Sequence, residues 1–144
     1  RWLNGRTGKQ FRLPTEAERE YAARGGREGE LYPWGDEPPW ERESLGFDPQ
    51  SGGPARVGVN LPNGFGLYDM SEGVHEWCSD YYDYYYYRYS PARNPQGAPA
   101  GTRRASRGGS WRHQIKFSRC AQRSSLPPSF KYSDYGFRVA LTVD

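Results

Sequence analysis

Arg12-Leu13-Pro14-Thr15-Glu16-Ala17-Glu18-Arg19-Glu20-Tyr21-Ala22-Ala23-Arg24-Gly25-Gly26 is the stretch on which the reading of this chain turns. Thr15 followed three residues later by Glu18 forms a capping box, in which each side chain takes the other's backbone N–H. Glu16 and Glu18 sit at the positive end of the helix dipole. Gly25 supplies the left-handed residue on which helices commonly end. The pattern predicts a helix over 16–24, with Ala17, Tyr21 and Arg24 grouped on one face by three- and four-residue spacing.

Outward from that helix the signals weaken. Arg1-Trp2-Leu3 reads as the end of a helix and Asn4-Gly5 as a turn. Residues 30–66 are punctuated by Pro and Gly and predict loop, with at most a short strand at 55–59. Residues 67–80 set Leu67, Tyr68, Met70, Val74 and Trp77 among carboxylates. Seven tyrosines follow between Tyr81 and Ser90, then a Pro/Gly loop over 91–102. Strands are expected at Ala105–Trp111 and Tyr135–Val143, with Phe117–Arg123 a weaker third.

Leu, Ile, Val and Phe supply 20 of the 144 residues, under the roughly one-fifth share at which disorder becomes the expectation. Disorder also requires a high net charge, and the formal value here is +3. Trp, Tyr and Phe number 5, 12 and 6, and such rings can build a core where aliphatics are scarce. No apolar run approaches the roughly 18 residues that span a bilayer, and no signal-peptide pattern opens the sequence. A membrane-spanning helix, a coiled coil and a disulfide mini-scaffold are excluded. A loop-rich, aromatic-cored soluble domain is expected.

Residues 1–100 carry 11 Lys/Arg against 15 Asp/Glu, and residues 101–144 carry 9 against 2. The basic end is expected to fold against the acidic part. Only 3 of the 20 basic residues are Lys, and Arg forks suit ordered pairing with carboxylates. No motif supports nucleic-acid binding. Cys78 and Cys120 are too few for a disulfide framework. They can bridge, stay free or fill core volume.

The order of the blocks says more. Arg12–Glu18, Ala22-Ala23-Arg24-Gly25-Gly26, Tyr32-Pro33-Trp34-Gly35-Asp36, Pro62-Asn63-Gly64-Phe65-Gly66-Leu67-Tyr68-Asp69-Met70, Glu76-Trp77, Asn94-Pro95-Gln96-Gly97, Arg107-Gly108-Gly109-Ser110-Trp111 and Gly136-Phe137-Arg138-Val139 resemble the formylglycine-generating enzyme, or sulfatase-modifying-factor, family over nearly the whole chain. The resemblance implies an α+β fold, a loop-rich variant of the C-type-lectin-like architecture with a small antiparallel core. The family domain is longer and opens with strands absent here. Residues 1–144 are therefore expected to be one incomplete domain, finished by an N-terminal segment or another chain.

The resemblance also implies chemistry. Enzymes of the family convert a cysteine of a target protein to formylglycine, using a copper(I)-binding cysteine pair between the GGS block and the RCA block. Here that interval, Trp111 to Arg119, holds no cysteine, so copper is not expected. Other relatives are fused to an iron-binding histidine domain. This chain has two histidines, His75 and His113, in separate blocks without the spacing of a facial triad, and both read as polar groups satisfied by neighbours. A third branch, the diversity-generating retroelement proteins, displays ligand-binding residues between GGSW and GFR. The counterparts here are Ser110, Trp111, Arg112, His113, Lys116, Phe130, Tyr132 and Tyr135, a basic-aromatic surface suited to anionic or planar ligands.

Relatives bind calcium in the block that ends in Glu76-Trp77. Carried over, the ligands are the Asp69 side chain, the carbonyls of Glu72 and Val74, and the Glu76 side chain, although Ser71-Glu72-Gly73 stands where relatives have a Gly-Asn pair. Arg19 stands where relatives usually have Trp. The Tyr81–Tyr89 cluster reads either as packing or as a ligand platform. The expected function is thus a calcium-stabilised, copper-free module for a peptide, glycan or small-molecule ligand. The alternatives are the family's formylglycine-forming oxidoreductase and a retroelement-diversified binding protein.

Overall fold

Thr15 caps its helix as the spacing predicts. Its hydroxyl accepts from the Glu18 N–H at 3.2 Å and its own N–H donates to Glu18 Oε2 at 2.8 Å. The computed structural model describes residues 1–37, 47–48 and 52–143. In it helix α1 spans Trp2–Thr7 and α2 spans Glu16–Arg24, each closed by a left-handed glycine, Gly8 and Gly25. Asn4-Gly5 lies inside α1 and makes no turn. The Asn4 side chain instead holds the next segment, taking the Phe11 N–H and donating to the Phe11 carbonyl.

The strands are β1 (Phe11–Arg12), β2 (Phe47–Asp48), β3 (Gly53–Pro54), β4 (His75–Tyr81), β5 (Arg104–Arg107), β6 (Ser124–Leu126), β7 (Tyr135–Gly136) and β8 (Ala140–Leu141). The main sheet runs β6-β5-β4-β7. β4 and β5 are antiparallel with Glu76 opposite Arg107, β5 and β6 are antiparallel, and β7 lies parallel to β4. β1 pairs with β8, and β2 with β3. This is the loop-rich α+β arrangement that the resemblance to the formylglycine-generating-enzyme-like variant of the C-type-lectin fold implies, with one parallel pair added to the expected antiparallel core.

Several boundaries differ from expectation for physical reasons. The strand expected at 135–143 splits because it changes partner: Tyr135–Gly136 pairs with β4 and Ala140–Leu141 with β1, while Arg138 between them turns in to Glu76. The end of that stretch thus finds its partner, β1, within the chain. Phe117–Arg123 is not a strand; residues Ile115–Ser118 form a 3₁₀ turn and pairing starts only at Ser124. The short strand at 55–59 is displaced to Gly53–Pro54. β4 has no counterpart among the expected strands.

The core is ionic more than aliphatic. Its buried apolar cluster is small, Ala23, Met70 and Cys120 with Ala22 and Leu67 against it. The face that α2 buries is Glu16, Arg19 and Ala23, not Ala17, Tyr21 and Arg24. Glu16, 1% exposed, receives Arg107 Nη1 at 3.1 Å and a two-pronged Arg123 with both contacts at 2.7 Å. Arg107 also pairs with Glu20 and donates to the Cys120 carbonyl. Arg19 Nε donates to Glu76 Oε2 at 2.6 Å, and Arg138 grips both oxygens of Glu76 at 2.7 and 2.8 Å. Arg107, Arg123 and Arg138 all come from the basic end and reach the acidic part, the pairing that the charge asymmetry implied.

Buried ions are costly to strand, because a partner removed leaves an uncompensated charge, at about 3–5 kcal/mol. Glu16→Ala should therefore lower the unfolding free energy by about that amount in urea titrations, whereas Glu28→Ala on the exposed surface should change it little. Acid acts on the same lattice. Burial alone would raise the Glu76 carboxyl, but the charges and hydrogen bonds of Arg19 and Arg138 outweigh it and hold it below its ordinary value. A carboxyl lowered by folding stabilises fully above its unfolded pKa and loses that contribution as pH falls through the folded one. The urea midpoint should hold between pH 7 and about 5 and drop below about 4. Glu76→Gln should reduce that drop; an unchanged acid profile would remove Glu76 from the cause.

Candidate functional site

The turn after β5 places the site. Gly109 has φ +71°, and a Cβ there would stand 2.6 Å from Ser118 Oγ, so only glycine lets the chain double back between Arg107 and Ser110. Trp111 N–H then donates to the Gly73 carbonyl at 2.9 Å and His113 N–H to the Ser110 carbonyl at 3.1 Å. This turn lays Ser110, Arg112 and His113 beside the start of β4 and the residue before β7.

There they converge on Asp134, 1% exposed. Ser110 Oγ donates to its Oδ2 at 2.9 Å and Arg112 Nη2 to its Oδ1 at 2.6 Å. Burial works against the ionised form of Asp134, yet these donors and the Arg112 charge keep its carboxyl below the ordinary value. His113 Nε2 lies 3.6 Å from Asp134 Oδ2, and its Nδ1 lies 2.6 Å from His75 Nε2. His75 is 1% exposed, and its N–H donates to the Asp134 carbonyl at 2.8 Å. Burial and the neighbouring His113 push the His75 pKa down to about 4, against the pull of Asp134. His75 stacks on Tyr135 at 4.9 Å.

His75 and His113, read from their separate blocks as polar groups satisfied by neighbours, find those neighbours in each other and in Asp134. Sequence reasoning missed His75 and Asp134 as site residues. The pairs are 38, 21 and 59 residues apart along the chain, so no local spacing could carry the signal. Of the expected ligand surface, Ser110, Arg112, His113 and Tyr135 meet here. Tyr132 joins through ring contacts with Tyr135 and Phe130 at 6.2 and 6.3 Å. Lys116 stands over the Phe117 ring, which itself touches His113. Trp111 lies under Arg112, 5.9 Å from its guanidinium carbon.

The residues expected to hold calcium do not fit that ion. The segment does curl, with Asp69 and Glu72 at φ +53° and +67°. Both oxygens of Glu76, however, are taken by guanidinium groups. Arg19 further takes the Met70 carbonyl, and Arg138 the carbonyls of Tyr68 and Asp69. Asp69 accepts from the Gly58 N–H and the Asn60 amide. Glu72 N–H donates to the Gly108 carbonyl, and Val74 packs at Gly136. A dication would have to enter beside two fixed positive charges. Arg19 thus points inward to Glu76.

Cys78 and Cys120 are free and buried, and burial pushes the Cys78 thiol up to about 12 and raises that of Cys120. The tyrosine cluster is divided between core and surface. Tyr86 is buried, while Tyr84, Tyr85 and Tyr89 stay exposed, and Arg123 lies over Tyr82 and Tyr87.

Comparison with known proteins identifies the family. Residues 1–143 match the family model described as "Sulfatase-modifying factor enzyme 1-like domain". The chain belongs to this family. Within it, the chain is 39% identical over 148 residues to a formylglycine-generating enzyme of Streptomyces coelicolor, covering 92% of this chain and 47% of that protein. It is 41% identical over 135 residues to the serine/threonine-protein kinase pkn1 of Chlamydia pneumoniae, covering 92% of this chain but 21% of the kinase. Among solved structures, PvdO from Pseudomonas aeruginosa superposes with a TM-score of 0.82 at 32% identity, over 99% of this chain and 56% of that one. Treponema denticola variable protein 1 gives 0.76 at 31%, over 91% and 47%. The chain spans from about a fifth to about a half of these curated relatives.

The buried thiols of this sulfatase-modifying-factor domain should resist modification. In native buffer at neutral pH neither Cys78 nor Cys120 should react with a thiol reagent on the timescale that labels a free peptide cysteine, and both should react in urea. Rapid native labelling at either position would show a thiol more available than its burial allows.

Proposed function

We propose that this domain is a copper-free member of the sulfatase-modifying-factor family that binds a ligand on the surface around Asp134. The convergence of Ser110, Arg112 and His113 on that one buried carboxylate carries the reading. Arg112 and His113 are held by it yet keep 40% and 39% of their side chains exposed. A positioned guanidinium beside exposed rings, Phe130 and Tyr132 at 49% and 47%, suits a ligand that joins an anionic group to a flat apolar face. The fork binds the anion and the rings take the face. A small carboxylate or phosphate compound and an acidic-aromatic peptide share that chemistry.

The rival is a formylglycine-forming oxidoreductase, and relatives of that name support it at the level of the family. Against it stand the interval from Trp111 to Arg119, which holds no cysteine, and the buried, poorly ionised thiols elsewhere. Calcium has no part in the reading, since Arg19 and Arg138 already neutralise Glu76.

Thermal-shift screening of carboxylate- and phosphate-bearing aromatics and short acidic peptides should find binders whose shift vanishes in Arg112→Gln and shrinks in Tyr132→Ala. Binding untouched by both substitutions would move the site elsewhere. With copper(I), oxygen and a cysteine peptide, mass spectrometry should find no aldehyde product; its formation would establish the oxidoreductase. Calcium added to chelator-stripped protein should leave the melting temperature unchanged, and a rise with calcium that Asp69→Ala abolishes would restore the calcium site.

A further inference from the structure

We propose that His75, His113 and Asp134 form a binding site for one divalent first-row transition metal ion, of the zinc, iron(II) or cobalt(II) kind. Among the described residues this is the one group of three His, Cys, Asp or Glu side chains whose ligand atoms come together, all within 4.8 Å of one another. Each residue supplies one atom: a ring nitrogen from each histidine and a carboxylate oxygen from Asp134.

Three features distinguish the cluster from a chance meeting of polar groups. The carboxylate is oriented from outside the set, by Arg112 on one oxygen and Ser110 on the other, which is how ligating carboxylates are usually held. His75 is tied to Asp134 through the backbone, N–H to carbonyl at 2.8 Å, so two of the three ligands form one rigid unit. The third, His113, sits on a turn at the surface and is partly exposed, which leaves a route in and open coordination positions facing solvent.

The separation of the imidazoles fits as well. Their nearest nitrogens lie 2.6 Å apart. An ion about 2.0–2.1 Å from each would hold them roughly 3 Å apart, and because the three ligand atoms spread over as much as 4.8 Å, the partly exposed His113 ring has to turn to bring one nitrogen in reach of both partners. The donor chemistry selects the ion. Two imidazole nitrogens and one carboxylate suit zinc, iron(II) and cobalt(II). Copper(I) prefers thiolates, and calcium requires six to eight oxygens. The ion site goes beyond the ligand surface and does not depend on it, because metal binding is measured without any organic ligand.

The test uses the whole 144-residue chain, without a histidine tag and stripped with chelator. Zinc titration by calorimetry should give one site per chain. Cobalt(II) should give the visible absorption of a low-symmetry, nitrogen-ligated ion. His113→Ala, at the exposed ligand, should keep the metal-free melting temperature and weaken binding by about 10-fold or more. His113→Cys should restore cobalt binding with a thiolate-to-cobalt charge-transfer band, which places the ion at residue 113 itself. Absence of zinc and cobalt binding by the wild type would overturn the site. So would binding that is equal in His113→Ala, or a His113→Cys complex without the charge-transfer band. Loss of metal binding with organic-ligand binding retained would sink this site alone; the reverse would sink the ligand reading alone.

Discussion

The lattice of buried guanidinium and carboxylate groups between α2, the main sheet and the C-terminal stretch is the constraint on which everything else depends. Burying an ion costs several kcal/mol after relaxation, and only a well-matched partner offsets it. Glu16, Arg19, Glu76 and Arg107 are each at least 90% buried, so each must find its partner or the fold fails locally. The matches are mutually exclusive with other registers. Sliding β5 against β4 by one residue would turn Arg107 away from the side of the sheet where Glu16 waits, because successive strand residues face opposite sides. A chain short of aliphatic mass thus gains from charge pairing the definition that other domains take from interdigitated Leu and Ile.

The site inherits its geometry from that lattice. In β4 the side chains alternate, so Glu76 and Cys78 face one side and His75 and Trp77 the other. The contacts agree: Glu76 meets Arg19 and Arg138, while His75 and Trp77 both pack on Tyr135. Arg107 is anchored among Glu16, Glu20 and the Cys120 carbonyl, and the double glycine that follows carries the chain straight to Ser110. On the far side Arg138 anchors the strand that began with Tyr135. Three anchored residues, Glu76, Arg107 and Arg138, are thus one to four residues from His75, Ser110 and Asp134. Rigidity in the ionic layer becomes positional accuracy in the site.

These relations divide what could be read from the residues from what could not. The α2 helix was legible because its signals are local: Thr15, Glu18 and Gly25 act within one turn of their own position. The fold was legible because ordered blocks from Arg12 to Val139 resemble one family. The buried face of α2 was not, since amphipathic reading looks for an apolar stripe, and here the stripe is Glu16, Arg19 and Ala23. β4 escaped for a related reason; its buried positions are His75, Glu76, Cys78 and Asp80, which carry no hydrophobic alternation. Ser110, Arg112, His113 and Tyr135, which meet around Asp134, were named through the resemblance. The meeting of His75, His113 and Asp134 was not, because it is made by β4, the turn after β5 and the approach to β7, and strand pairing is a tertiary fact.

The exchange at Glu76 shows how such a scaffold can change its chemistry without changing its shape. The family resemblance puts a calcium ion against this carboxylate and an aromatic ring at position 19; here the residue at 19 is Arg, and its guanidinium reaches the carboxylate. A bound ion stabilises only in proportion to the logarithm of its free concentration, because it must be captured from solution. A guanidinium carried on the α2 helix is delivered by folding itself and stays at any calcium level. The cost is that Arg19 has to be desolvated, which its contacts with Glu76 and the Met70 carbonyl offset. The same logic applies across β4. Where the resemblance places two thiols, the interval holds His113, and an imidazole cannot substitute for a thiolate toward a soft ion. It can do so toward a borderline one, provided that further nitrogen and oxygen donors stand within reach. His75 and Asp134 stand there, supplied by β4 and by the residue before β7, which the ionic layer holds in place.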